Sequence, residues 1–487
     1  MNANQIADIY PLSPMQQGML FHSLYAPETG NYHEQSAWKI EGKLDVDLFA
    51  QAWRAVINRH TALRTAFVWE ELDEPLQIVY RQLDAPLTEL DWRDVPAAEQ
   101  AARLEQFLAA DRAEGFDLSA APLMRLAVMR LDGDSYYFVW SHHHLLLDGW
   151  SQQIIFKDLF TWYESLRQGI EPPLPLARPY REYIAWLQAQ KRDEAEVFWQ
   201  EELAGFTAPT PLTIERWHTA VEGEFILTKA RLPEDVTTAL QALVRQQQIT
   251  LNTILQGAWA LLLSRYSGEE DVLFGATTAG RPPNLPDVES MVGLFINTLP
   301  ARVRIDETQP VADWLTDLHQ KQTAARAYDY LPLTDLQQWS DVPADTPLFE
   351  SLFVFESYPI DETVRQVSQA GSLKIAEAAS FTRTNFPLLL SVSPGKQMGL
   401  VIGYDNSRFE DEAVKRMLGH LTTLLEGIAA NPDCPVADLP LLTAVEQQQI
   451  LVDWNDTAWD VPLERTIHEL FEEQADQHPE ATAVTFP

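Results

Sequence analysis

Strand-like and helix-like segments alternate in two rounds along this chain, and the proline-rich stretch Pro172-Pro173-Leu174-Pro175 separates the rounds. Before it, apolar spacing predicts a helix over 47–58, a strand over 65–68 and a helix over 97–110. Two strands then flank the Asp132-Gly133-Asp134 turn signal, and a helix follows in which Ile155, Leu159, Trp162 and Leu166 recur. After it come a helix over 180–203, a strand over 225–232, a helix opening at Pro233-Glu234, a helix over 250–266 and a strand over 272–276. Mixed order of this kind argues for an α+β fold with two lobes, residues 1–175 and 176–440. A chain of 487 residues exceeds one small core and fits two or three folding units. Beyond about Pro440 the character changes. Leu441-Leu442-Thr443 and Trp454-Asn455-Asp456-Thr457 read as extended linker, which makes 441–487 a third segment.

Composition closes several function classes. With 71 acidic against 35 basic residues the net charge is −36, which repels nucleic-acid phosphates and anionic lipid alike. No basic block with interleaved aromatics overrides it, so neither nucleic acid nor membrane is an expected partner. The longest apolar run, Ile254 to Leu263, is interrupted by Gln256 and Gly257 and is too short to span a bilayer. The N-terminus lacks the basic and apolar regions of a signal peptide. The single cysteine, Cys434, excludes an internal disulfide and fits a reducing cytoplasm.

The chemistry concentrates in Ser141-His142-His143-His144-Leu145-Leu146-Leu147-Asp148-Gly149-Trp150. The histidines end a strand, and the helix after Trp150 has Ser151 available as its N-cap and Gly169 as its stop. His143 and His144 alternate across the strand, so only one of them faces a given cavity; His144 is the candidate base. Asp148 either orients an imidazole or pairs with a distant cation to hold the loop. Gly149 suits an unusual dihedral or a close ligand approach. Ser151 lacks the Gly-x-Ser-x-Gly setting of an acyl-accepting nucleophile.

His143-His144-x-x-x-Asp148-Gly149 resembles the signature of the condensation domains of nonribosomal peptide synthetases, members of a superfamily that includes chloramphenicol acetyltransferase. The flanks agree in order and spacing over essentially the whole chain. Arg59-His60-Thr61-Ala62-Leu63-Arg64-Thr65-Ala66-Phe67 is similar to the family's Arg-His-x-x-Leu-Arg-Thr-x-Phe block. Tyr180-Arg181-Glu182-Tyr183-Ile184-Ala185-Trp186 resembles its Tyr-x-Asp-aromatic-Ala-x-Trp block, and Gly293-Leu294-Phe295-Ile296-Asn297-Thr298 its Gly-x-Phe-Val-Asn-Thr block. Two blocks are eroded, to Tyr328-Asp329-Tyr330-Leu331-Pro332-Leu333 and to Thr384-Asn385-Phe386-Pro387-Leu388. The opening keeps Ser13 and Gln16 but has Met15 and Gly18 in place of Ala and Arg, a variant similar to the subclass that accepts a donor ending in a D-residue. Thr466 to Ala475 and Thr482-Ala483-Val484 are similar to the first helix and strand of an adenylation domain. The piece that ends at Pro487 therefore reads as part of a larger multidomain enzyme.

The resemblance implies two acetyltransferase-like lobes in a V-shaped pseudo-dimer with a central channel. It implies amide-bond formation between an upstream carrier-bound acyl or peptidyl thioester and the amine of a downstream carrier-bound aminoacyl thioester. His144, Asp148, Gly149 and His143 form the implied catalytic group. Asp148 is expected to pair with an arginine, Arg281 first and Arg64 second, and Trp150, Asn297, Thr298, Ser13 and Gln16 are candidates to line the channel. The implied partners are peptidyl carrier domains on both sides and an adjacent adenylation domain. No metal and no intrinsic cofactor are expected, because the phosphopantetheine arms arrive on the carriers. An epimerisation domain would add a second acid/base block, and a heterocyclisation domain would replace the histidines with Asp-x-x-x-x-Asp. The remaining alternatives are a catalytically silent docking or recruitment module and a coenzyme A-dependent acyltransferase.

Overall fold

The computed structural model describes residues 3–215, 223–356, 373–458 and 464–485. The chain forms two compact units, one up to Leu439 and one from Pro440 onward. Among the described residues the first contains three sheets.

A five-stranded sheet runs in the spatial order Lys374–Phe381, His33–Glu41, Ser135–His143, Met124–Arg130, Leu87–Asp91. Alternation along its central strands gives it two different faces. Trp38, Ile40, Phe138 and Trp140 pack with Phe49 and Trp53 of the helix Val46–Arg59 and with Ile155, Leu159 and Tyr163 of the helix Gly149–Gln168. Ala37, Ala127, Met129 and Val139 pack instead with Leu104 and Leu108 of the helix Ala97–Glu114. Under this second face Asp111 accepts from Gln35 Nε2 at 2.7 Å and from Arg125 Nε at 2.6 Å, so its buried carboxylate is paired.

A six-stranded sheet has the order Asn297–Arg304, Asp271–Thr278, Ser351–Phe355, Leu388–Ser393, Gly399–Asp405, Phe225–Arg231, with both junctions of Ser351–Phe355 parallel. The helix Leu251–Ser267 is buried from Thr253 through Ser264, which explains its apolar run. Its Gly257 lets the helix Val311–Arg326 come close, since a Cβ there would lie 2.6 Å from Leu315. Among the described residues no helix is long and apolar enough to cross a membrane. A small sheet, Ile6–Pro11, Leu76–Tyr80, Thr65–Val68, packs Tyr10 and Val79 against Tyr180, Tyr183, Met291 and Phe295.

The lobes are not two consecutive stretches of chain. Lys374–Phe381 lies inside the span read as the second lobe, yet it pairs antiparallel with His33–Glu41 of the first sheet. The single helix expected over 180–203 is two, Arg181–Gln188 and Asp193–Leu203. The first packs Tyr183 and Ile184 beside the small sheet, and the second packs Trp199 and Leu203 with Leu331, Leu336 and Phe349. Each helix thus follows its own core. Asp193, Glu194 and Glu196 suit the second helix start, where negative charge meets the positive end of the helix dipole.

In the second unit a helix lies between the two stretches read as extended, and the second of these begins in a 3-10 turn. Ala444–Leu451 is a helix capped by Thr443, and Asp453–Asn455, which contains Trp454, forms a short 3-10 turn. Thr466 and Glu469 form a capping box for the helix Ile467–Gln477, while 482–484 is not a strand.

Candidate functional site

The strand Ser135–His143 delivers the histidines, and a 3-10 turn, His144–Leu146, carries the chain on to the helix Gly149–Gln168. Asp148, not Ser151, is the N-cap of that helix: its Oδ1 accepts from the Ser151 backbone N at 2.8 Å. The apolar period alone could not separate these two capping residues three positions apart. Gly169 ends the helix in the left-handed conformation, φ 67°.

Asp148 is wholly buried and fully engaged. Its Oδ2 accepts from the Phe295 backbone N at 3.0 Å, and Arg281 Nη2 approaches its two oxygens at 3.2 and 3.5 Å. The same guanidinium donates to the carbonyls of Val288 at 2.6 Å and Met291 at 2.9 Å and to Ser151 Oγ at 3.1 Å, and it stacks 3.9 Å from the centre of the Phe295 ring. Burial lowers the pKa of Arg281 and Asp148 opposes that shift. Ser151 Oγ closes the cluster by donating to Gly293 O at 2.9 Å. Of the two roles left open for Asp148, this geometry supplies the second, a buried ion pair that holds the loop. Arg64, the second-choice partner, donates instead to the Tyr80 carbonyl and takes no part.

The three histidines have separate surroundings. His142 is buried and stacked on Trp140 with ring centres 4.6 Å apart, and burial lowers its pKa strongly. His143 Nδ1 accepts from Leu145 N at 3.2 Å, so its Nε2 carries the hydrogen toward Ser23 Oγ at 3.3 Å. Burial first, then His144 and His33, pushes its pKa down to about 3. His143 is thus held in the fold behind the cavity wall, by Leu145 on one side and Ser23 on the other. His144 is half-buried and faces the main cavity. Its backbone N donates to Tyr32 O at 2.8 Å, and its buried ring Nδ1 has no hydrogen-bond partner among the described residues. Among those residues no carboxylate orients it in the manner of a catalytic triad.

That cavity, about 2300 Å³, is walled by both lobes, with Met19, Glu34 and His144 from one and Lys229, Thr298 and Ser391 from the other. Gly149 and Trp150 also line it, and the Trp150 indole N–H donates to Glu289 O at 3.0 Å. The remaining candidates support the wall from behind. Asn297 is buried and donates to the carbonyls of Asp329 at 2.8 Å and Leu331 at 2.6 Å, whereas its neighbour Thr298 reaches the cavity. Ser13 caps the helix Pro14–Tyr25, and Gln16 Nε2 donates to Leu145 O at 3.0 Å, pinning the turn that carries His144. Sequence reasoning missed Glu34 and Tyr32, which line the cavity, and it could not show that the Tyr32 hydroxyl donates to Asn385 Oδ1 at 2.9 Å. Residues 353 positions apart leave no local signal.

The family profile described as Condensation domain matches residues 6–451, and the chain belongs to that family. Such domains of nonribosomal peptide synthetases form amide bonds, a reaction of the acyltransferase type. The chain is 45% identical over 487 residues to a linear gramicidin synthase polypeptide of Brevibacillus parabrevis, covering 99% of itself and 6% of that relative. It spans only a small fraction of the curated relatives it matches. Among solved structures, holo-AB3403, a four-domain nonribosomal peptide synthetase bound to AMP and glycine, superposes with a TM-score of 0.80 at 18% identity, over 99% of this chain and 37% of that one. The X-domain from teicoplanin biosynthesis superposes with a TM-score of 0.73 at 22% identity, over 89% and 97%. The two-lobed α+β architecture is the fold of this group.

Proposed function

We propose that this chain joins an upstream carrier-bound acyl or peptidyl thioester to the amine of a downstream carrier-bound aminoacyl thioester. The observation that carries this reading is His144 facing a cavity built by both lobes while Asp148 and Arg281 lock the turn beneath it. The amine nitrogen attacks the thioester carbonyl carbon and becomes cationic. In its neutral form the His144 imidazole accepts one N–H proton, the C–S bond breaks, and that proton passes to the departing thiolate. The products are an amide and a free pantetheine thiol. An α-amine has a pKa of about 8, so part of it is already protonated at neutral pH, and general-base assistance is worth roughly 10²–10⁴ in rate. Holding two tethered reactants in line supplies up to about 7–11 kcal/mol more. Asp148 and Arg281 act through the loop, and His143 through the strand end.

The phosphopantetheine arms belong to the carriers, and the segment 441–487 reads as linker and the opening of an adjacent adenylation domain. The Met15 and Gly18 variant of the opening favours a D-configured donor, as a cytoplasmic assembly line would supply after epimerisation. Incubating the chain with loaded upstream and downstream carriers tests the reading. His144→Ala is expected to lose about 10²–10⁴ of the condensation rate. A chain that forms no amide with any loaded pair, or a variant as fast as the native chain, overturns it. Donors ending in D- and L-residues test the subclass, and equal use of both removes it.

A further inference from the structure

Tyr32, Glu34 and Ser36 alternate along the strand His33–Glu41 and the residue before it, and all three line the cavity. In the antiparallel register Glu34 lies opposite His142, and His144 N bonds to Tyr32 O, so Glu34 is the diagonal cross-strand neighbour of His144, roughly 7–8 Å away. Glu34 Oε1 accepts one hydrogen bond, from Thr382 Oγ1 at 2.6 Å, just beyond the strand that crosses from the other half of the chain. Among the described residues no lysine or arginine pairs with it. A carboxylate offers about four acceptor positions, and a charge held in a cavity wall is costly until a cation or further donors reach it. Burial raises the pKa of Glu34; His144, the Thr382 hydrogen bond and His33 oppose the rise, and Glu356 adds to it. Glu356 is itself occupied by Ser391 Oγ at 2.6 Å and Ser393 Oγ at 2.9 Å. Glu34 is thus an acid with vacant acceptor positions, one strand pairing away from the proposed base.

We propose that Glu34 is the subsite for the acceptor's α-ammonium, binding it beside His144 before deprotonation. This rests on the condensation reading and names the part of the site that recognises the amine. The bound ammonium supplies the missing cation and up to three donors. It also brings the nitrogen to the imidazole side of the cavity, so that amine selection and proton removal take place one after the other in adjacent positions. The Thr382 hydroxyl sets the carboxylate's orientation.

The test measures binding of glycyl-pantetheine amide, which cannot react, and of its N-acetyl analogue to the full chain by calorimetry. The native chain is expected to prefer the free amine by about tenfold or more, as a charge-assisted contact gives. Glu34→Gln keeps an acceptor for Thr382, and is expected to abolish that preference while binding the N-acetyl ligand as the native chain does. Glu34→Asp should restore part of it. No preference in the native chain, or a preference retained by Glu34→Gln, overturns the proposal. With loaded carriers, Glu34→Gln should raise the acceptor KM and leave the donor KM unchanged; equal effects on both would mark a merely structural role. His144→Ala separates the two readings. Its ammonium preference should persist although condensation is lost, and a chain that shows the preference yet never condenses would sink the condensation reading alone.

Discussion

At Gly149 the backbone takes no positive φ, and a Cβ placed there would meet no atom within 4 Å. The fold therefore does not require a glycine at this first helical position, and the unusual dihedral that its sequence context suggests is absent. What remains is open space on the cavity wall beside His144. Gly149→Ala is expected to melt at the native temperature, checked by circular dichroism, while slowing condensation by about tenfold to hundredfold if a substrate arm passes this point. The neighbouring side chains show how far residue-level reading reaches. The spacing His143-x-x-x-x-Asp148 identified the loop, and strand alternation required that only one of His143 and His144 face a given cavity. It could not show that Asp148 turns away from both imidazoles, because beyond its own helix start the groups that claim its oxygens are the distant backbone of Phe295 and side chain of Arg281.

Individual elements follow local rules closely where one core covers them. The strands around Asp132-Gly133-Asp134 form at Met124–Arg130 and Ser135–His143, as their alternation requires. Elements that change partners depart from local rules. Ala189 to Arg192 contains no proline or glycine, yet the helix breaks there because its two halves serve different cores. The strand Ser135–His143 also carries a pH dependence. His142 and His143 are buried in it, and His60 is buried 2.8 Å from Asp158, with burial lowering the pKa of each. A histidine whose pKa falls on folding binds fewer protons than it does unfolded, so stability rises with pH across the interval between the two values. For His143 that interval runs from 6.5 down to about 3. Denaturant midpoints should therefore fall steadily as pH drops below about 6.5, the ordinary histidine value. In His143→Gln the slope should be shallower. An unchanged slope in that variant would remove His143 as a source of the dependence.

Over the whole molecule, the two halves of the chain are joined by more than a shared surface. The second half lends Lys374–Phe381 to the first half's sheet, and Arg281 reaches Asp148 across 133 positions of sequence. Arg281→Ala strands a buried carboxylate and should cost about 3–5 kcal/mol in urea unfolding, with condensation lost in parallel. Arg281→Lys should recover little of either, since one ammonium cannot span Val288, Met291, Ser151 and Asp148 as the planar guanidinium does. A lysine variant with native stability and rate would show that charge alone suffices there.

The amino-acid sequence by itself determined the two rounds of strand and helix and the loop that bears the histidines, because periodicity, turn residues and motif spacing are all encoded within a few positions of one another. Only the tertiary structure decided that a strand crosses between the sheets, that His143 packs behind the site and that Glu34 and Asn385 meet His144's cavity. These outcomes depend on which distant surfaces bury each other, and a contact between residues hundreds of positions apart has no period to read.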